Sequence, residues 1–330
     1  MATTLNNDFV LFSTGQTIGA SSSATMKNRL INSGMAIAQR GTSFTSPASG
    51  SYTLDRWFVT WTGAAPATVA QVAGPAGFRN ALQITGATGN TATALAQRIE
   101  SYNCSDLSGQ TVTIQANMSA STPITVGWNL SYASTTDNFG TVTSIASGTW
   151  SVTTTSTVFS ATITGLPAGV VNGLQLTISP NNNTAFTSGT FTITGTQLEV
   201  GTVASSFDYR DYGRELIMCQ RYYQVYYATS WGFPVFTTYV PNGDTRGGFT
   251  FPVTMRTSPG VSFNTNSWVV IGSGDLAGVV NATLTIAVPG TSADGFAIVV
   301  NNPSALSSAS NSVVTWGTNS GPTYYASAEL

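Results

Sequence analysis

Along much of the chain, apolar and polar residues alternate one for one. In TVTIQANM, Val112, Ile114, Ala116 and Met118 fall on one side. TVFSATI places Val158 on one side and Phe159, Ala161 and Ile163 on the other; GLQLTIS alternates Leu174, Leu176 and Ile178, and GTFTITG alternates Phe191 and Ile193. Further on, GGFTFPVTM repeats the pattern at Phe249, Phe251, Val253 and Met255, and NATLTIAV at Ala282, Leu284, Ile286 and Val288. A period of two, rich in Thr, Val, Ile and Phe, marks strands that bury one face. Clusters of Asn, Gly and Pro separate these runs: SPNNN, VPNGD with the hairpin pair Asn242-Gly243, and AVPGTSADG with Asp294 in the turn. Strands at this spacing predict an all-β chain built from antiparallel sandwiches. In YTLDRWFVTW, residues 57, 59 and 61 share one strand face, which assigns Trp57 and Trp61 to the core.

Helical signal is confined to one place. Asp211 can cap a helix, and GRELIMCQRYY brings Leu216, Cys219, Gln220 and Tyr223 to helical spacing. A short helix is expected there, passing into a strand within YYQVYY. The chain then divides into an arm (1–27), a first β domain (28–204), a charged junction that starts the helix (205–218) and a smaller second β domain (219–330). The arm is rich in Ser and Thr, with one apolar patch at Phe9, Val10, Leu11 and Phe12. Two readings fit it: disorder, or attachment by adding a strand to a neighbour with that patch as anchor, the second favoured. No internal repeat, heptad or stalk is encoded.

Composition changes the picture mainly by exclusion. Only 7% of the 330 residues are charged, against 42% hydrophobic, so the chain can fold but has little charge to spend. Its ten arginines and one lysine are scattered and the net charge is −2, which disfavours nucleic acid as a partner. No apolar run is long enough to span a membrane, and the first residues lack the pattern of a signal peptide. Histidine is absent, which removes Ser-His-Asp and Cys-His catalysis and histidine metal sites. Cys104, at the end of the strand-like QRIESYNC, and Cys219 read as buried thiols rather than a bridge.

Against that background, SSFDYRDYGRELIMCQRYYQVYY stands out. It carries Asp208, Arg210, Asp211, Arg214, Glu215 and Arg221 among tyrosines, in a chain with only 11 basic and 13 acidic residues. Arginine pairs with carboxylates through a fork of donors and stacks on tyrosine. The segment, with Glu199 just before it, is therefore read as an interdomain or intersubunit clasp; a Tyr–Arg–Asp binding site is the competing reading. Trp128, Tyr132 and Trp150, with Asp137 and Asn138 in the turn TTDNFG, form a second candidate: rings that stack on a sugar while the turn supplies hydrogen bonds. Ordinary partial burial of large aromatics is the alternative.

Three stretches in order carry a resemblance: NRLINSGMAIAQRGTSF…YTLDRW, TGTQLEVGTVASSFDYRDYGRELIMCQRYY and FPVTMRTSPGVSF, with a chain end in YYASAEL. Together they resemble a family of bacteriophage virion surface proteins, tail-fibre-like or capsid-decorating. The resemblance covers roughly residues 28–330. It implies a carbohydrate-binding-module-like jelly roll closed by the QLE segment, then a second sandwich opened by CQRYY, with Asp55, Arg56 and Trp57 serving jelly-roll structure. It also implies a homotrimer partnered by other virion proteins, synthesis in the host cytoplasm, and a place on the outer surface of capsid or tail. Host surface polysaccharide is the ligand this implies for a tail position. No cofactor is implied beyond a structural calcium ion for which no ligands are assigned.

The functional expectation is therefore a non-enzymatic structural protein, either a short tail fibre that contacts host glycan or a capsid decoration protein. The alternative is a polysaccharide-cleaving tailspike or a secreted carbohydrate-binding module. Cleavage needs two carboxylates flanking the bond. The available set, Asp208, Asp211 and Glu215, sits among arginines that would pair with it.

Overall fold

The computed structural model describes residues 27–226, 244–263, 267–272, 279–280, 285–301, 313–318 and 324–330, with short strands at 9–11, 17–19, 233–235 and 238–239; side chains are described within 27–226, 248–262, 288, 290–297 and 324–330. Strands β1 (Phe9–Leu11) and β2 (Thr17–Gly19) pair antiparallel with each other. Twelve strands follow before the helix: β3 (Ser43–Phe44), β4 (Ser51–Tyr52), β5 (Phe58–Gly63), β6 (Thr68–Ala73), β7 (Asn80–Thr85), β8 (Asn90–Ile99), β9 (Val112–Ala120), β10 (Ile124–Thr135), β11 (Asn138–Val152), β12 (Thr157–Ile163), β13 (Leu174–Ser179) and β14 (Thr190–Val200). They form two six-stranded sheets, ordered β11-β10-β13-β8-β5-β4 and β12-β9-β14-β7-β6-β3. All pairings are antiparallel, and the two sheets face each other as a jelly-roll sandwich.

The alternation in the sequence becomes the core. Val112, Ile114, Ala116 and Met118 of β9, Leu174, Leu176 and Ile178 of β13, and Phe191 and Ile193 of β14 are all at most 1% exposed and belong to one cluster with Trp57, Val59 and Leu95. Burial of such side chains contributes roughly 1.5–3 kcal/mol each. The tryptophan pair of YTLDRWFVTW splits, however. Trp57 lies before β5 and is fully buried, with its indole N–H donated to the Asn32 carbonyl, whereas Trp61 is half-buried and bonds Pro47.

In β14 the period breaks. Its register to β9 shifts between Thr194 and Gln197, a bulge that includes Gly195 at φ +58°. A bulge adds one residue to one strand and so reverses the facing of everything after it. Phe191 and Ile193 point inward before it and Leu198 after it, which turns Gln197 and Glu199 to the outside of the sheet. Gly195 is required twice over, because a Cβ there would lie 2.5 Å from the Phe78 ring and the backbone is left-handed.

Helix α1 (Tyr212–Gln220) begins where the sequence indicates, with the Asp211 carboxylate accepting from the Arg214 amide at 3.0 Å. Its buried Cys219 joins Ile31, Ile37 and Tyr222 in a small second cluster, against which Leu330 packs. Beyond it come β15 (Tyr223–Tyr226), β16 (Phe233–Val235), β17 (Thr238–Tyr239), β18 (Asp244–Thr250), β19 (Gly260–Phe263), β20 (Ser267–Gly272), β21 (Val279–Val280), β22 (Thr285–Ser292), β23 (Gly295–Asn301), β24 (Val313–Thr318) and β25 (Tyr324–Ser327). They make a three-stranded sheet (β15-β25-β19) and two of four strands (β16-β24-β20-β21 and β17-β18-β23-β22), the second, smaller β domain.

Two local expectations are corrected, and a third lies partly outside the described residues. The strand through Phe249–Met255 stops at Thr250, because Pro252 has no amide to continue the ladder. Cys104 is not in a strand: β8 ends at Ile99, and the thiol is buried between two short 3₁₀ turns at Ser101–Asn103 and Ser105–Leu107. In NATLTIAV the described strand runs from Thr285, and residues 281–284, like the Asn242-Gly243 pair, lie outside the described residues.

Candidate functional site

The charged segment is laid along the outside of the second sheet. Thr113 donates to the Gly201 carbonyl at 2.9 Å, Thr162 to Thr202 at 3.0 Å and Gln115 to Ser205 at 2.9 Å, so the outward polar side chains of β9 and β12 are satisfied by the chain crossing them. Glu199 accepts from both the amide (2.8 Å) and hydroxyl (2.6 Å) of Ser205. Arg210 then turns inward, its side chain 4% exposed, with Asp208 at 3.6 Å and Glu215 at 3.5 Å. It donates to the carbonyls of Leu30, at 2.9 Å, and Asn28, while Glu215 accepts from the Asn32 amide. Arg221 reaches Glu100 of the first domain at 3.1 Å. Of the seven nominated residues, Asp211 is the helix cap and Arg214 is exposed; the other five hold the segment to the sandwich within one chain.

A second ionic cluster lies where the chain end returns. Arg56 is 1% exposed, pairs with Glu329 and donates to the Arg98 carbonyl at 2.6 Å. Its guanidinium carbon lies 3.5 Å from the centre of the Tyr222 ring. Arg40 repeats the arrangement, 3.5 Å over Tyr223, 3.0 Å from Glu329 and 3.8 Å from Asp55. Burial raises the Asp55 carboxyl, opposed by Arg40, and burial pushes the Tyr222 hydroxyl up to about 12. Tyr52 donates to the Leu330 main-chain oxygen at 3.1 Å, as does Arg98. Arg40, Arg98, Glu100 and Glu329 were missed in the sequence. The signal was there in one form: Glu329 is an isolated charge in a charge-poor tail, and a lone charge that folds inside needs a partner.

The aromatic sugar candidates occupy strands rather than loops, and they separate from the polar pair at the turn. Trp128 and Tyr132 on β10 and Trp150 on β11 face the sandwich interior; Trp150 is 8% exposed and stacks with Trp128 at 5.8 Å. Both half-buried rings lie on glycines: a Cβ at Gly148 would come within 2.8 Å of Trp128, and one at Gly169 within 2.3 Å of Tyr132. Trp128 and Tyr132 do line one cleft of about 680 Å³ with Ile145, Ile163 and Pro167. Asp137 and Asn138 do not belong to it. Nine residues along the strand from Trp128 amount to about 30 Å, and at the hairpin tip Asp137, in left-handed backbone, accepts from the Ser101 amide (2.7 Å) and hydroxyl (3.1 Å). Asn138 is exposed and bonds the Gly140 amide.

A different concavity takes in one of these residues, Trp128, together with side chains that nothing in the sequence singles out. On the outside of the first sheet, Thr60, Ala94, Asn129, Thr149 and Thr177 from five adjacent strands line an open groove of about 470 Å³, closed at one end by Asn182. Asn181, Asn182 and Asn183 all adopt positive φ, which asparagine tolerates better than other side chains, and Asn182 leans over Gly127 where no Cβ would fit. Among the described residues, no charged side chain lines this groove. Phe9, Val10 and Leu11 of the arm form β1; their side chains, and Phe12, lie outside the described residues. Among the described residues, no three Asp, Glu or Cys side chains converge to hold a metal ion, and no helix is long and apolar enough to cross a membrane.

No family model and no curated protein matches the chain. Among solved structures it is similar to the enzymatically active domain of tailspike protein 4 of bacteriophage CBA120 (14% identity, TM-score 0.37), over 53% of this chain and 21% of that one. It is also similar to a CBM4 structure (16% identity, TM-score 0.35; 52% and 98% of the two chains). A third is the tandem CBM22-1–CBM22-2 domain of Paenibacillus barcinonensis Xyn10C (11% identity, TM-score 0.33; 93% and 97%). The chain thus spans about a fifth of the tailspike domain it matches.

Proposed function

We propose that the chain is a non-enzymatic structural protein on the outside of a bacteriophage virion, whose first domain holds host-surface glycan in the groove of its first sheet. One observation carries the ligand class: the groove is walled by hydroxyls and amides beside Trp128, with no ionised side chain among its described lining residues. Such a surface matches neutral polyhydroxylated chains, and its volume falls in the roughly 300–1,000 Å³ range of ligand sites. The virion assignment rests on the ordered motifs from Asn28 to Phe263, as does the expectation that copies assemble as a homotrimer with other virion proteins. The absence of chemistry is supported by the positions of the acids. None lines the groove, Asp208 and Glu215 lie beside Arg210, and Asp211 caps α1. The test is a glycan array with the full chain. Neutral host polysaccharide should be retained by the native protein and lost in Thr177→Trp, which fills the groove. Equal retention by that variant would overturn the groove, and release of reducing ends from the polysaccharide would overturn the non-enzymatic role.

A further inference from the structure

A separate pocket of about 210 Å³ opens where the charged segment crosses the first domain, lined in part by Ser33, Phe78, Arg79, Phe207, Tyr209 and Tyr212. Its floor and wall are aromatic: Phe78 packs edge-on to Phe207 at 5.2 Å, Phe207 edge-on to Tyr209 at 4.8 Å, and Tyr209 is fixed by donating its hydroxyl to the Gly77 carbonyl. Tyr212, 63% exposed, stands in the lining with its ring open to solvent. These faces offer stacking and CH–π contact but no specificity by themselves.

Two polar groups give it specificity. Ser33 lines the pocket, is 2% exposed, and its hydroxyl has no hydrogen-bond partner among the described residues. A buried hydroxyl left unpaired costs about 1–3 kcal/mol, a cost that a ligand hydroxyl or carboxylate would relieve. Arg79 is exposed in the lining and makes no ion pair with the described residues. The other lining charges are engaged with one another: Arg210 lies between Asp208 and Glu215, and those carboxylates also accept the Asn28 and Asn32 amides. That leaves Arg79 as the cation available to an incoming anion, and its fork suits a carboxylate.

We infer that this pocket binds a single acidic sugar residue, its ring face on Tyr209 and Tyr212, its carboxylate on Arg79 and a hydroxyl on Ser33. The cavity lies below the size of sites that take drug-sized ligands, which sets the occupant at one ring. This site differs from the neutral groove in position and in charge, and does not depend on it.

The experiment is saturation-transfer NMR on the full chain with glucuronate, galacturonate and N-acetylneuraminate, alongside neutral glucose and galactose. At least one acidic sugar should saturate the protein below about 10 mM and bind about tenfold or more tighter than the neutral sugars. Arg79→Gln should abolish that preference while leaving the thermal midpoint unchanged, since Arg79 is exposed. Ser33→Ala should weaken the acidic sugar without unfolding the protein, since it removes an unpaired hydroxyl. Thr177→Trp, in the groove, should leave acidic-sugar binding intact even where it abolishes binding of neutral polysaccharide. Saturation by none of the three acids, equal binding of neutral and acidic sugars, or an unchanged preference in Arg79→Gln would each overturn the inference.

Discussion

The Arg56 guanidinium carbon lies over the Tyr222 ring, 3.5 Å from its centre, and the guanidinium pairs with Glu329. A residue from the first domain is thereby held between the start of the second and the returning chain end, out of water on all sides. Removing one partner of a buried pair leaves the other charge uncompensated, which typically costs about 3–5 kcal/mol. Arg56→Leu should lose roughly the lower end of that, since Arg40 remains 3.0 Å from Glu329. Arg56→Leu with Glu329→Leu should recover most of it. Urea midpoints for the two variants decide; a double variant no more stable than the single one would show that the pair itself, rather than the stranded charge, carries the stability.

Alkaline pH should unfold the protein in a defined window. The Cys104 thiol is pushed from 9.0 to about 12 by burial, with the nearby Asp137 charge adding to it. Tyr222 and Tyr324 are pushed from 10.0 to about 12, again chiefly by burial. Each folded value lies above the unfolded one, so the unfolded chain ionises first. The stability from these groups is whole below pH 9 and falls as pH rises toward 12. Thermal midpoints should therefore hold steady to about pH 8.5 and drop steeply by about pH 11. Cys104→Ala should move the start of that drop to higher pH.

Gly195→Ala tests the bulge that turns Gln197 and Glu199 outward. The left-handed backbone costs a non-glycine residue about 1–2 kcal/mol, and the Cβ would meet Phe78 at 2.5 Å. A loss of about 2–4 kcal/mol in chemical denaturation is expected. A loss under about 0.5 kcal/mol would mean that the register does not depend on this residue.

Trp150→Ala separates packing from recognition. The ring is 8% exposed, stacked on Trp128, with its N–H donated to the Ser160 carbonyl at 3.3 Å. Loss of about 3–5 kcal/mol of stability is expected, as for other buried aromatics, and glycan retention by the remaining folded protein should be unchanged. Lost retention at full stability would restore Trp150 as a sugar contact.

The sheets were legible in the sequence because their inward positions obey a strict period of two: Val112 to Met118 and Leu174 to Ile178 read as written. The helix was legible from one cap, Asp211, and one apolar stripe. The bulge was not, since Gly195 reads as one more turn residue until its φ is known. The site was less legible still. Tryptophans attract attention by type, yet Trp150 is buried in the core, and Trp128, stacked on it, also lines the groove. The groove is made by Thr60, Asn129, Thr149 and Thr177, individually unremarkable residues that only the strand order brings side by side. The same holds for Arg56 and Glu329, 273 positions apart in the chain and joined only by the return of the chain end.

The most direct test of the proposed role is cryo-electron microscopy of the virus particles proposed to carry this chain. The account predicts density on the outer surface of the particle into which the two six-stranded sheets fit, with the groove of the first sheet facing outward. Particles that lack the protein, or that bury this groove against the virion, would contradict it.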